Sequence, residues 1–274
     1  MMPQYDLHCH SNFSDGALSP ADLIARAAER GVTHLALTDH DTTAGLAPAM
    51  QAIAEQQLDL QLIPGVEITC RWEDFEIHLV ALHFDPNADQ LQALLNQQQQ
   101  QRLTRFEQML AKLHKAGLNV ELPAFSPQQM PTRKHLADAL VEQQWVSSFD
   151  AVFRRYLGKG QLAYVRGNWV TLEDAIETVA AVGGVSVIAH PHAYQLSNKW
   201  LRRLLQEAKD AGVTGMEVAV GQQSPGQREA LATFANELGL SASAGSDFHY
   251  PSNWRDLGKN IVLPEACVPI WQHW

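Results

Sequence analysis

The sequence contains few cysteines and no long apolar run. Its three cysteines, Cys9, Cys70 and Cys267, are far apart, which argues against a disulfide framework or a Cys-rich zinc site and is typical of a reducing compartment. No stretch approaches the roughly 18 uninterrupted apolar residues of a membrane helix. The segment MMPQYDLHCHS has neither the basic nor the apolar region of a signal peptide. We therefore expect a soluble, cytoplasmic protein with no membrane partner.

Basic residues are outnumbered and unevenly distributed. Twenty Lys and Arg against thirty Asp and Glu give a formal charge of -10, which argues against a general nucleic-acid-binding surface. Residues 100–166 nevertheless hold ten of the basic and only five of the acidic residues, so this segment carries +5 and the remainder -15. An acidic body with a basic insertion favours a metal-dependent enzyme that acts on anions. The alternative is an ordinary solvated helical surface.

Apolar segments alternate with amphipathic ones in both halves of the chain, which predicts an α/β fold. Strand-like segments are YDLHCH, VTHLALTDH, LQLIPGVEIT, the alternating residues 76–80, VSVIAH, GMEVAV and LSASAGSDFH. Helical periodicity marks residues 20–31, 43–56, 171–182, 198–211 and 225–238. Such repetition predicts parallel strands wrapped by helices. Residues 1–88 and 166–274 would form one discontinuous barrel domain.

Residues 89–165 lack a convincing strand and predict a helical insertion in that barrel. A long helix is expected near 88–116, a second after Pro131-Thr132 and a third around 149–157. The run NQQQQQR lies between leucines and other apolar residues at helical spacing, so we interpret it as helix surface. The insertion carries the excess positive charge and would cap the substrate.

Histidines and carboxylates recur at the ends of the predicted strands. His8 and His10 are two residues apart, so both imidazoles point to one face of a strand and Cys9 to the other. The carboxyl ends of parallel barrel strands meet at one mouth. Buried imidazoles and carboxylates are costly unless paired or bound to metal. We therefore expect one cavity for divalent cations lined by nine residues: His8, His10, Asp15, His40, Glu67, His78, His190, Asp247 and His249.

Four motifs resemble those of the polymerase and histidinol phosphatase (PHP) superfamily of metal-dependent phosphoesterases. They are His8-Cys9-His10 with Asp15, Thr38-Asp39-His40 with Gly65-Val66-Glu67, Ala189-His190-Pro191, and Ser246-Asp247-Phe248-His249. The resemblance covers nearly the whole chain and implies a distorted (β/α)7 barrel with a site for three divalent cations. It implies that His8, His10, Glu67 and Asp247 hold one cation, that Glu67, His78 and His190 hold a second, and that Asp15, His40 and His249 hold a third. Such mixed ligands suit manganese and also admit iron or zinc.

A narrower resemblance concerns the substrate. The place of the helical insertion, the segment Thr132-Arg133-Lys134-His135, the segment 221–225 and the Trp-rich C-terminus resemble the bacterial 3′,5′-nucleoside bisphosphate phosphatases that also act as 5′-to-3′ exoribonucleases. That resemblance implies a small nucleotide, pAp, as substrate, with AMP and phosphate as products, and short 5′-phosphorylated RNA as a further substrate. No obligate protein partner is inferred.

Asp15, Arg133 and His192 are the predicted catalytic residues, and Arg133, His135 and His192 the predicted substrate contacts. Thr132 can cap the helix that it begins, which leaves backbone N–H groups and Arg133 directed at an anion. We therefore predict that Arg133 anchors a phosphate, with His135 nearby. His192, two residues after His190, is a candidate acid or substrate contact. A surface arginine and a loop histidine are the alternatives for Arg133 and His192.

Two further carboxylates and several rival functions stay open. Asp39 and Asp41 flank His40, and either orient metal-bound imidazoles or are ordinary turn acids. Rival functions are a histidinol phosphatase, a polymerase proofreading module, a metal amidohydrolase, which also begins with His-x-His, and a non-catalytic metal-binding module. The Ser-Asp-x-His motif and the Asp15/His40 pair favour phosphate chemistry.

Overall fold

In the computed structural model, which describes residues 3–274, eight strands form one mixed sheet. The strands are β1 (Tyr5–Asp6), β2 (His34–Leu37), β3 (Gln61–Trp72), β4 (Phe75–Leu82), β5 (Val170–Thr171), β6 (Val185–Ile188), β7 (Gly215–Val220) and β8 (Ser241–Gly245). Their order is β1-β2-β3-β4-β6-β7-β8, with β5 paired to β3. The chain after β1 also contacts the end of β8: the Leu7 N–H donates to the carbonyl of Ala244 at 2.9 Å, and Cys9 and Phe248 form an isolated parallel β-bridge. The sheet is therefore nearly closed, and the predicted α/β barrel is confirmed.

One strand departs from the predicted parallel arrangement. β4 runs antiparallel to both β3 and β6, because only Glu73 and Asp74 separate it from β3, and a two-residue connection makes a hairpin rather than a crossover. Glu73 has a φ of 52° in this turn. The prediction of parallel strands throughout is thus wrong for β4. Since β4 is reversed, its first half lies at the rim that receives the carboxyl ends of the other strands.

The part of the chain that the structure describes contains eight α-helices: α1 (Pro20–Glu29), α2 (Leu46–Gln56), α3 (Asp89–Lys115), α4 (Arg133–Glu142), α5 (Phe149–Val152), α6 (Leu172–Ala181), α7 (Asn198–Asp210) and α8 (Pro225–Leu238). Hydroxyl side chains cap the start of several of them, as Ser19 does for α1 and Ser224 for α8. A π-helical turn, Phe153–Leu157, continues α5. Within residues 3–274, no helix combines the length and the apolar character needed to cross a membrane.

The long helix α3 connects two apolar cores. Leu91 and Leu95, in its first two turns, pack in the cluster between the sheet and helices α6–α8. Further along, Phe106 and Met109 pack in a separate cluster with residues of α4 and α5. The helix therefore begins against the barrel and ends in a second apolar core that it forms with α4 and α5.

Candidate active site

The two histidines after β1 are held close to the end of β8. Both His8 and His10 are buried, and their Nε2 atoms lie 3.1 Å apart. Asp247 Oδ1 lies 3.7 Å from His8 Nε2 and 3.5 Å from His10 Nε2. A glycine at position 245 permits this approach, because a Cβ there would lie 2.4 Å from the His8 Cβ. Three side chains thus direct a nitrogen or oxygen at one point.

Glu67, in the middle of β3, lies at the centre of the site. Its Oε1 is 2.8 Å from His78 Nδ1 and 3.0 Å from His190 Nε2. Its Oε2 is 2.9 Å from His40 Nδ1 and 3.3 Å from His10 Nε2. One buried carboxylate therefore contacts histidines from four different segments of the barrel, as a ligand shared between cations would.

Asp15 organises the outer side of the same group. Its Oδ1 lies 3.3 Å from His249 Nε2, and its Oδ2 lies 3.7 Å from His40 Nε2. The hydroxyl of Thr132, from the insertion, donates to Oδ2 at 3.1 Å. Asp15, His40 and His249 form a second group together with His10, and the ligand atoms of this group lie within 4.8 Å of one another. All nine residues singled out in the sequence lie together here, and we call them the histidine–carboxylate cluster.

The cluster has the donor set of a cation site. Among the described residues, Asp15 Oδ1, Glu67 Oε2 and His40 Nδ1 are buried without a hydrogen-bond partner. His40 Nδ1 and Glu67 Oε2 are only 2.9 Å apart, so their contact is close without having the direction of a hydrogen bond. Unsatisfied buried polar atoms that face each other are costly. Carboxylate and imidazole atoms grouped in this way fit divalent cations.

The pKa shifts divide the cluster into two groups, the first of which favours metal-binding protonation states. Burial alone would raise the pKa of Glu67, but His78 and His40 outweigh it and hold the pKa well below its usual range. The pKa values of Asp15 and Asp247 are also held well below normal, because neighbouring histidines outweigh burial. Burial, assisted by His249, lowers the pKa of His10 to about 3. Ionised carboxylates and a neutral imidazole are the forms that bind cations.

His249 behaves in the opposite way, as do His8, His40 and His190, whose pKa values are also raised. Burial alone would lower the pKa of His249, but Asp15 and Asp247 outweigh burial and raise the pKa to about 9. Its Nδ1 lies 3.0 Å from the carbonyl of Asp247, which leaves Nε2 directed at Asp15. A cation bound by Nε2 must therefore displace a proton, so metal binding here is coupled to pH.

Glu217, in β7, was missed by the sequence reasoning. Its Oε1 lies 2.7 Å from His8 Nδ1, and its Oε2 accepts the backbone N–H of His190 at 2.5 Å. The carboxylate thereby turns His8 Nε2 toward the cluster and fixes the strand end that carries His190. A single acid within the apolar segment GMEVAV was the available signal, since a buried carboxylate needs a partner.

The two aspartates that flank His40 support loops rather than imidazoles. Asp39 accepts hydrogen bonds from the backbone N–H of Ser11 at 2.8 Å and from the hydroxyl of Ser14 at 2.6 Å. Asp41, with a φ of 53°, accepts from the Thr69 backbone N–H at 2.8 Å and forms a buried ion pair with Arg102 of α3. Within residues 3–274, neither carboxylate hydrogen-bonds a histidine, so both hold the backbone around the cluster.

A cavity of about 800 Å³ opens onto the outer part of the cluster; we call it the main cavity. Asp15, His40, His78 and His249 lie at its floor, and the insertion forms much of its wall. Five cationic residues line it, namely Arg102, Arg105, Arg133, Lys134 and Arg255, as do three aromatic residues, Phe149, Phe153 and Tyr250. The cavity thus places cations and aromatic rings beside the cluster, a combination that suits a nucleotide.

A single carboxylate fixes two of these arginines. Glu76, in β4, accepts from Arg133 Nη2 at 2.6 Å and from Trp169 Nε1 at 2.9 Å, and Arg105 Nη2 lies 3.1 Å away. Burial would raise the pKa of Glu76, but Arg133 and Arg105 outweigh it and lower the pKa. Since two guanidinium groups share one carboxylate, a net positive charge remains for an anion. In the sequence, the signal for Glu76 was its position two residues before His78, which places both side chains on the same face of β4.

The three predicted substrate contacts lie in different surroundings. Arg133 is the first residue of α4 and lines the main cavity. His135 Nδ1 accepts the backbone N–H of Thr132 at 3.0 Å, which completes the cap of α4, and His135 is not among the residues that line the cavity. His192 does not line the cavity either. It lies in the short turn Pro191–Tyr194, where burial lowers its pKa and its Nδ1 has no hydrogen-bond partner among the described residues.

Known proteins share this architecture over most of their length. The chain is 43% identical to a 5′-3′ exoribonuclease of Haemophilus influenzae over 99% of each chain. It is 40% identical to a 3′,5′-nucleoside bisphosphate phosphatase of Chromobacterium violaceum, over 99% of this chain and 96% of the relative. A solved structure described as an amidohydrolase from the same organism, with bound sulfate and no metal, superposes with a TM-score of 0.88 at 39% identity, covering 98% of this chain and 95% of the other.

The family assignment follows from both the match and the geometry. The model of the PHP domain family matches residues 6–186, a span that contains six of the nine cluster residues. The remaining three, on the loops after β6 and β8, complete the cluster in space. The resemblance recognised in the sequence is thus confirmed, and the chain belongs to the PHP domain family.

Proposed function

We propose that this chain is a metal-dependent phosphoesterase that removes the 3′-phosphate of nucleoside 3′,5′-bisphosphates, converting pAp to AMP and phosphate, and that it shortens 5′-phosphorylated RNA from the 5′ end. The observation that carries the proposal is the position of the Glu76-bound arginines beside the histidine–carboxylate cluster in one cavity. The arginines suit the phosphate that does not react, and the histidine–carboxylate cluster suits the phosphate that is hydrolysed. The two relatives compared above are named for these two activities.

The nine residues of the cluster would hold three divalent cations. The proposed groups are His8, His10, Glu67 and Asp247; Glu67, His78 and His190; and Asp15, His40 and His249. Manganese, iron and zinc all suit mixed imidazole and carboxylate ligands. When bound, such cations polarise phosphoryl oxygens and lower the pKa of the attacking water. The short distances from Glu67 to four histidines support its role as a shared ligand.

Side chains of the insertion would orient the substrate. Arg133, at the first position of α4, adds its charge to the partial positive charge of the helix start. Arg105 shares the carboxylate of Glu76 with it, so both guanidinium groups are preorganised for one phosphate. His135 holds the first turn of α4 through the Thr132 N–H and thereby positions Arg133. We propose that residues 89–165 cap a barrel formed by residues 1–88 and 166–274.

Proton movement is assigned to residues beside the cluster. Asp15 is ionised and lies 3.3 Å from His249, so it would orient the group that attacks phosphorus. His192, two residues after the cluster residue His190, is the proposed proton donor to the leaving oxygen. It is outside the lining of the main cavity, so the proposal rests on its place beside His190 and on its Nδ1, which has no partner in the described part of the chain. The three cysteines are free and buried, which suits the reducing cytoplasm that we propose as its location.

The experiment is a product screen on the purified protein with its metal content measured. Phosphate release would be followed from pAp, histidinol phosphate and a generic aryl phosphate, and nucleotide release from 5′-phosphorylated oligoribonucleotides. We expect pAp and the oligonucleotides to react. Turnover of histidinol phosphate alone would contradict the proposal. Ammonia release from amides without phosphate release would instead support an amidohydrolase, the description carried by the superposed structure.

A further inference from the structure

Two aromatic side chains from different parts of the chain are exposed in the main cavity. Phe149, in the insertion, is 41% exposed, and Tyr250, on the loop after β8, is 47% exposed. Both line the cavity. Phe149 is paired with Phe153, their ring centroids 5.1 Å apart, and we call these two residues the insertion wall. Exposed aromatic rings beside cationic groups are the usual platform for nucleobases.

The loop that carries Tyr250 also carries an arginine without an acidic partner among the described residues. Arg255 lines the cavity, and its Nη1 donates to the carbonyl of Asp247 at 3.2 Å. Its Nε is buried and has no hydrogen-bond partner among residues 3–274, and no ion pair is formed by it within those residues. By contrast, Arg133 and Lys134 pair with Glu76 and Asp138. We call Tyr250 and Arg255 the barrel wall.

Each of the two walls adjoins one of the phosphate-binding parts of the proposed site. Arg133, the proposed phosphate anchor, lies with its Cζ 6.0 Å from the ring of Phe153, so the anchor adjoins the insertion wall. Tyr250 directly follows His249, which contacts Asp15 in the cluster. The anchor therefore adjoins the insertion wall, and the barrel wall adjoins the cluster. The volume of about 800 Å³ lies toward the upper end of the ~300 to 1,000 Å³ of small-molecule sites.

We propose, on the basis of the proposed function, that the main cavity binds two consecutive nucleotides of single-stranded RNA. The 5′-phosphate lies at Arg133 and the first base on the insertion wall, as in the bisphosphate. The second base, beyond the phosphodiester that is hydrolysed, stacks on Tyr250, and its backbone lies near Arg255. The insertion wall thus serves both substrates, whereas the barrel wall serves RNA alone.

The test measures two substrates with each variant. Base stacking on an aromatic side chain is worth about 1 to 3 kcal/mol, which corresponds to roughly 5- to 150-fold in affinity. We expect Tyr250→Ala to raise KM for a 5′-phosphorylated dinucleotide about tenfold and to change KM for pAp less than twofold. Tyr250→Phe, which keeps the ring, should restore the dinucleotide KM. Phe149→Ala should raise KM for both substrates.

Matched controls come from exposed tryptophans outside the cavity lining. Trp254 is on the same loop as Tyr250 and is 84% exposed, and Trp145 is in the insertion and is 39% exposed. Trp254→Ala and Trp145→Ala should leave both KM values unchanged. If Tyr250→Ala affects pAp and dinucleotide equally, or neither, the two-nucleotide site is refuted. A wild-type protein inert toward both substrates would instead refute the proposed function.

Discussion

Replacing Arg133 with alanine tests the proposed phosphate anchor. Arg133 Nη2 donates to Glu76 Oε1 at 2.6 Å, and its side chain is 32% exposed toward the main cavity. A hydrogen bond to a charged group contributes about 1.5 to 3 kcal/mol, or roughly 10- to 150-fold in affinity. Because Arg133 is partly solvated and Arg105 remains beside Glu76, we expect the lower end, an increase of about tenfold in KM for pAp.

The assay compares pAp with an aryl phosphate that has no second phosphate group. Arg133→Ala should raise KM for pAp and leave KM for the aryl phosphate within about twofold, because only pAp reaches the anchor. Arg166→Ala is the matched control, since Arg166 directly follows the insertion, pairs with exposed Asp74 and does not line the cavity. Equal KM changes for both substrates would refute the assignment of Arg133.

Glu76→Gln extends the same test to the residue that positions Arg133. If Glu76 acts mainly through Arg133, the substitution should raise KM for pAp in the wild-type background and have a smaller effect in the Arg133→Ala background, where Glu76 still holds Arg105. Unfolding followed by circular dichroism would check that each variant folds. A Glu76→Gln variant with unchanged or lower KM for pAp would show that the carboxylate does not position the anchor.

Three further predictions concern the supports of the cluster. Glu217→Gln should weaken metal retention by roughly 10- to 100-fold in competition with a chelator, because His8 loses the carboxylate that orients it; unchanged retention would contradict this. Arg102→Met leaves buried Asp41 without its cation and should lower the free energy of unfolding in urea by about 3 to 5 kcal/mol; a loss below about 1 kcal/mol would refute the role of this pair. Burial raises the pKa of Asp39 from 3.8 to about 6, so between about pH 4 and 6 the folded protein holds a proton that the unfolded chain has lost. The contribution of Asp39 to stability should therefore fall by up to about 3 kcal/mol as pH rises through this window. In the Asp39→Asn variant, the free energy of unfolding should depend less on pH between about pH 4 and 6.

The predicted helices match the structure closely because their signals are local. The segments expected at 198–211 and 225–238 correspond to α7 at Asn198–Asp210 and α8 at Pro225–Leu238, each begun by a serine cap. A cap and an apolar stripe depend only on residues within a few turns of the chain. The direction of β4 was predicted wrongly, because it depends on the pairing of whole strands and on the short turn at 73–74 rather than on apolar alternation.

The sequence by itself determined the chemical identity of the candidate site. Histidines two residues apart on a strand share a face for geometric reasons, and the recurrence of such residues at strand ends predicted that His8, Glu67 and His249 belong together. The supporting network was decided only by the tertiary structure. Glu76, Glu217 and the pair Asp41–Arg102 act across distances of 27 to 209 residues along the chain. No local pattern specifies such partners, because a buried charge requires only some counterpart, and the packing of distant segments selects which residue provides it.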